Sequence, residues 1–184
     1  MKLIIGTLCM FFVSICSAEE LVKTCRLGTQ PDRNIAIVRD SKIADTHIYY
    51  LRRGADRTPF FNDAYQSRGS SVRVECVGKR TRALLVSGEF TANSLQGFVI
   101  NFTAGSSSPE RLDFAEKNRP QRIYLNSHEI IVVVPTHGLG ETNARYVAYH
   151  HTVGRADADS ANAIDKLPSQ KDFEVIELNR SKPK

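Results

Sequence analysis

The stretch Tyr124–Val153, YLNSHEIIVVVPTHGLGETNARYVAYHHTV, decides how the rest of the chain is read. Ile130–Val134 is an unbroken run of β-branched residues. It is too short for a helix and rich in strand formers, so it predicts a strand buried on both faces. Pro135 cannot donate to a ladder and closes the run, and Gly138-Leu139-Gly140 turns the chain. Arg145–Val153 then reads as a second strand. This pair is expected at the centre of the fold, and it carries four of the five histidines.

Outward from the pair, short strand-like runs recur. Asn34–Arg39, Thr46–Arg52, Val72–Val77 and Arg82–Phe90 come first, followed by Gln96–Thr103 and Gln121–Asn126 before the pair and Phe173–Leu178 after it. A spacing of roughly ten residues, with Gly, Ser, Asn and Asp between the runs, is the pattern of an all-β antiparallel sandwich or barrel. Within Val72–Cys76 the apolar positions alternate, so one face of that strand is wet. Two stretches break the pattern. Glu110–Lys117 reads as a short helical turn. Asp157–Lys166 is rich in helix formers behind an aspartate and reads as a short C-terminal helix, with disorder as the alternative. Phe173–Leu178 is expected to return as an edge strand.

The ends suggest a compartment. Lys2, the apolar Leu3–Ile15 and the small-residue exit Cys16-Ser17-Ala18 have the form of a secretory leader cleaved after Ala18. The apolar part falls short of the ~20 residues that cross a bilayer, so no stable membrane anchor is expected. Residues 19–178 are then one β-rich domain, and Asn179–Lys184 a frayed basic tail. Cys9 and Cys16 leave with the leader. Cys25 and Cys76 remain, and in an exported, periplasmic or secreted chain they are expected to form one disulfide. It closes a loop of roughly 52 residues, for which chain entropy alone gives roughly 4 kcal/mol.

The net charge of +5 is modest and unevenly placed. Arg52, Arg53, Arg57 and Arg68 crowd a segment that also holds Phe60, Phe61 and Tyr65. Arginine with aromatics is the composition of protein-interface hot spots, and a basic face suits an acidic protein partner or an anionic envelope ligand. Phe60 and Phe61 read equally well as caps on the core beneath a long loop. Arg53–Ser71 is also longer than a plain connection needs, which marks it as a binding loop. No aromatic interleaving of the RNA-binding type and no DNA-binding motif is present, so nucleic acid is not expected.

Catalytic templates are incomplete. Val132–Gly140, VVVPTHGLG, resembles the strand and His-Gly turn that form the oxyanion hole of α/β-hydrolases, but no G-x-S-x-G follows it. The two glycines therefore read as turn residues. Neither H-E-x-x-H, a P-loop nor G-x-G-x-x-G occurs. His128 and His150, near Glu129, are weak zinc candidates at a strand end, with the side depending on register. An even register puts His128 near His150 and Glu129 near His151, on opposite faces, and an odd one crosses them. The tandem His150-His151 must point to opposite faces. The Asn101-Phe102-Thr103 sequon sits inside a predicted strand, where it is read as coincidental.

The sequence thus predicts an exported, non-enzymatic binding protein without a cofactor. Its most concrete form is a periplasmic inhibitor or immunity-type protein acting through the Arg53–Ser71 loop or the turn around His137–Glu141. The alternatives are a small-ligand or polysaccharide module, and a hydrolase or metalloenzyme built on His128, His137 and His150.

Overall fold

The computed structural model describes residues 19–103, 106–139 and 142–178. The expected leader and the basic tail from residue 179 lie outside the described residues, as do Gly140 and Glu141 of the His137 turn. Thirteen strands are described, with no α-helix and a single 3₁₀ turn at Pro31–Arg33. One antiparallel sheet contains β1 (Glu20–Arg26), β2 (Asn34–Arg39), β3 (His47–Arg53), β4 (Asp56–Pro59), β5 (Arg68–Val77), β6 (Ala83–Glu89), β7 (Leu95–Asn101) and β8 (Glu110–Glu116). Its order is β1-β2-β3-β5-β6-β7-β8, with β4 paired to β3. The other contains β9 (Arg122–Leu125), β10 (Glu129–Pro135), β11 (Tyr146–Thr152), β12 (Arg155–Ile164) and β13 (Glu174–Glu177), in the order β12-β11-β10-β9-β13.

The first sheet folds over on itself. β3 reaches β5 only through His47–Gly69 and Ile48–Arg68, and the chain turns its corner there. Cross-links between the halves include the Cys25–Cys76 disulfide, with Cα atoms 5.5 Å apart, a 2.7 Å bond from the Arg111 guanidinium to the Phe60 carbonyl, and a 3.0 Å bond from Arg33 to the Ser106 carbonyl. Between the halves lies an apolar core that includes Ile37, Tyr49, Phe60, Leu84, Val86 and Phe98. The opposite face of β6, β7 and β8 presents Leu85, Val99, Leu112 and Phe114 to Ile123, Ile130 and Val132 of the second sheet. Beyond that sheet, Tyr124, Ile131 and Val133 are covered by Leu167 and Phe173.

The result is three stacked β layers, with β6 and β10 buried on both faces. This explains the unbroken apolar runs Ala83–Val86 and Ile130–Val134: in a middle strand both alternating faces need hydrophobic side chains. Each such side chain contributes about 1.5–3 kcal/mol. A polar strut spans the layers at one point. Arg119, between β8 and β9, donates to the carbonyls of Ser71 (2.6 Å) and Ser87 (2.9 Å). It grips β5 where the register shifts between Ser70 and Arg73 and Ser71 takes a left-handed φ of 51°.

The all-β class, the Cys25–Cys76 bridge and the central β10–β11 pair are as the sequence predicts, and β13 does return on a sheet edge. Other expectations are corrected. Glu110–Lys117 is not a helical turn: Glu110–Glu116 is β8, with Leu112 and Phe114 inward at every second position. Asp157–Lys166 is neither helix nor disorder through most of its length, since Arg155–Ile164 is β12. Alanine-rich composition favours a helix locally, but the open edge of β11 supplies a ladder that outweighs that preference. Arg53–Ser71 is not one long loop either. It holds a two-residue Gly54-Ala55 hairpin, β4, a tight turn and the start of β5.

Candidate functional site

The residues that the sequence singled out around Arg52–Arg68 fall into three environments. Phe60 is fully buried, stacking on Tyr49 and edge-on to Phe98. It is a core residue, not a surface contact. Arg52 and Arg57 are held internally: Arg52 pairs with Glu19 (2.6 Å), and Arg57 with Glu19 (2.9 Å) and Asp40 (2.5 Å). Arg57 also lies 3.4 Å above the Tyr50 ring. Those carboxylates absorb much of the expected basic patch, and Arg53 stays exposed at the hairpin.

Phe61, Tyr65 and Arg68 form the third group. The turn that carries them is tied from within. The Ser67 hydroxyl is buried, donates to the Asp63 carbonyl at 2.7 Å and accepts from the Phe61 amide at 2.9 Å. The Asp63 carboxylate caps the Gln66 amide at 2.7 Å. Ordered in this way, the turn holds Tyr65 at 84 % exposure, the most exposed of the large apolar side chains described. A cleft lies on either side of it. Tyr65 and Arg68 line one of about 650 Å³ with Phe90 and Lys117. Phe61 lines the other, of about 720 Å³, with Gln96, Arg111, Phe114 and Tyr149. Arg68 is positioned by bonds to the Thr46 hydroxyl (2.6 Å) and the Ile43 carbonyl (3.3 Å). Tyr149 donates to the Ala115 carbonyl at 2.7 Å, and burial together with the Glu116 charge pushes its pKa up to about 12. It therefore stays a neutral donor. The structure makes this segment an aromatic turn between clefts more than a field of free cations.

The histidines separate as the register dictates. β10 and β11 pair Ile130 with His151 and Ile131 with His150, the odd register. His150 therefore meets Glu129 (2.7 Å) on one face, while His128 sits exposed on the β9–β10 turn. His137 lies on another exposed turn with φ 48°, beside a shallow cleft of about 360 Å³. The structure does not gather His128, His137 and His150 into one site. Among the described residues no group of three His, Cys, Asp or Glu side chains is placed to hold a metal.

From the sequence, His151 enters only beside its tandem neighbour His150 and has no role of its own. It is 1 % exposed, and its ring bridges Asp159 (Nδ1, 2.7 Å) and Glu110 (Nε2, 2.9 Å). Burial opposes a charge on the ring, but the bonds to Glu110 and Asp159 prevail and hold its pKa above the ordinary value. Glu110 belongs to β8 and Asp159 to β12, so the ring locks the middle layer to the second sheet. No reagent reaches it, which makes it a structural clamp. Nearby Asn101, opposite Glu110 on β7, is fully buried with an unpartnered amide, so its sequon is inaccessible. No family model, curated protein or solved structure matches the chain.

Proposed function

We propose that this chain is an exported, non-enzymatic binding protein that blocks a partner protein through the Phe61–Arg68 turn, in the manner of an inhibitor or immunity protein. The observation that carries the reading is Tyr65: a large aromatic ring at 84 % exposure, on a turn ordered by buried Ser67 and flanked by two clefts. Tyrosine and arginine on a pre-ordered support are the usual anchors of protein interfaces, because little entropy is lost when they are covered. Arg68 and Arg53 supply positive charge at its margin, which suits an acidic partner. The disulfide is consistent with an oxidising, extracytoplasmic compartment.

The test is capture of partners from periplasmic extract by the immobilised chain, with their identification, alongside Tyr65→Ala combined with Arg68→Ala. The pair of substitutions is expected to weaken the captured partner by about thirtyfold, as for hot-spot residues. Tyr65→Ala alone should leave the melting temperature in place, since exposed positions away from special features shift stability by about 0.5 kcal/mol or less. Capture that the double variant does not change would overturn the reading.

A further inference from the structure

The cleft on the Phe61 side of the turn lies along the margin of the middle layer. That layer ends at β8, which ladders with β7 alone, while β4 above it ladders with β3 alone. Outside its pairing with β7, the β8 backbone makes one hydrogen bond among the described residues, accepting from the Tyr149 hydroxyl at the Ala115 carbonyl. Backbone groups of successive strand residues face opposite edges. Arg111 and Asp113 therefore turn their amide and carbonyl groups to the same open side as Ala115. The cleft beside them, about 720 Å³, has Pro59 and Phe61 on one wall and Phe114 and Tyr149 on the other. Arg111 is immobilised by Asp113 (2.6 Å), by the Phe60 carbonyl (2.7 Å) and by stacking over Phe98 (4.1 Å).

We infer that this cleft accepts an extended segment of the partner protein, added to β8 as a further strand with apolar side chains at alternate positions. The open edge recognises backbone, whatever the sequence, and the two aromatic walls recognise the side chains that an added strand points up and down. A lone chain sits roughly 4.8 Å from β8, between the rings. A second folded copy pairing edge to edge would have to displace Phe61 or Tyr149. Recessing a strand edge in this way also keeps it from pairing indiscriminately. The inference deepens the binding reading above and rests on it.

The experiment pans the full chain against a displayed library of random heptapeptides and remakes the best binder with single N-methyl groups along its backbone. Selected sequences are expected to alternate apolar residues. Methylation at every second amide should weaken binding on the order of five- to tenfold, with the intervening positions unaffected. Asp113→Pro, which removes an amide on the open edge and spares the β7 ladder, should act like methylation, beyond the effect of Asp113→Ala. The alanine variant removes only the carboxylate that holds Arg111, and both melting temperatures are recorded beside the binding. An absence of alternating binders, or a methylation series without a two-residue period, overturns strand addition. So does binding of chitohexaose or another neutral oligosaccharide in place of peptides, or self-association through β8 in sedimentation. Loss of partner capture on Tyr65→Ala without any periodic methylation effect would sink the strand and leave the binding reading standing. Periodic methylation with capture insensitive to Tyr65 and Arg68 would do the reverse.

Discussion

A charged imidazole between two carboxylates is stable only while its proton stays on. Below about 6.5, the ordinary histidine pKa, His151 is protonated in both folded and unfolded chains, and the Glu110–His151–Asp159 bridge contributes in full. Above that value the unfolded chain releases the proton while the folded one keeps it, so stability declines as pH rises, until the raised folded pKa is passed. Thermal unfolding of the wild type is therefore expected to show a falling stability above neutrality that His151→Ala lacks. The same variant leaves two carboxylates facing each other across the layers and should cost about 3 kcal/mol at pH 6. Parallel pH profiles for the two proteins would dismiss the clamp.

Among the elements, β13 is held by a charge as well as by a ladder. It pairs only with β9, at the edge of the second sheet. From its first residue the Glu174 carboxylate crosses to the β5–β6 turn, accepting from the amides of Lys79 (2.6 Å), Thr81 (2.7 Å) and Arg80 (3.1 Å). Three successive amides aimed at one anion form a nest. Gly78 makes the nest possible: at φ 83° a Cβ would lie 2.0 Å from the Thr81 carbonyl oxygen. Burial raises the Glu174 pKa, but the amides more than offset this and hold it below the usual carboxylate range. The stabilisation is present above about 4.5 and is lost as pH falls through the lowered folded value. Glu174→Gln is expected to cost about 2 kcal/mol and to speed hydrogen exchange at Val175 and Ile176 while β10 stays protected. Unchanged exchange in β13 would show that the ladder alone holds it.

For the whole molecule, the disulfide is the tie that closes the upper half of the first sheet over the lower. β1 ladders with β2 on one side only, and its outer residues Leu21 and Val22 are exposed, so its own burial gives it little. Cys25 is buried in the core, whereas Cys76, on the same side of β5 as Val74, remains exposed. Replacing both cysteines by alanine should lower stability by up to about 4 kcal/mol, read from the denaturant midpoint. β1 and β2 should lose exchange protection before β6 and β7, which are buried between layers. An unmoved midpoint would mean that packing between the halves suffices.

The sequence by itself determined what depends on neighbours along the chain. The β-branched run of β10 and its closing Pro135, the bounds of β2 at Asn34–Arg39 and the pairing of Cys25 with Cys76 were all legible. The period-two signal for β8 was present as well, in Leu112 and Phe114, but the charged residues between them read equally well as a helical turn. Only the tertiary structure decided that Arg155–Ile164 is a strand, because the ladder that fixes it belongs to β11. It alone decided that Phe60 is core while Tyr65 is surface, since alternation in a turn does not say where the layers lie. It also brought Glu110 and Asp159 to His151 across 41 and 8 residues of chain. Local preference weighs each residue against its neighbours in sequence. The clamp, the nest and the cleft are made by strand edges and buried charges that meet only once distant segments have packed.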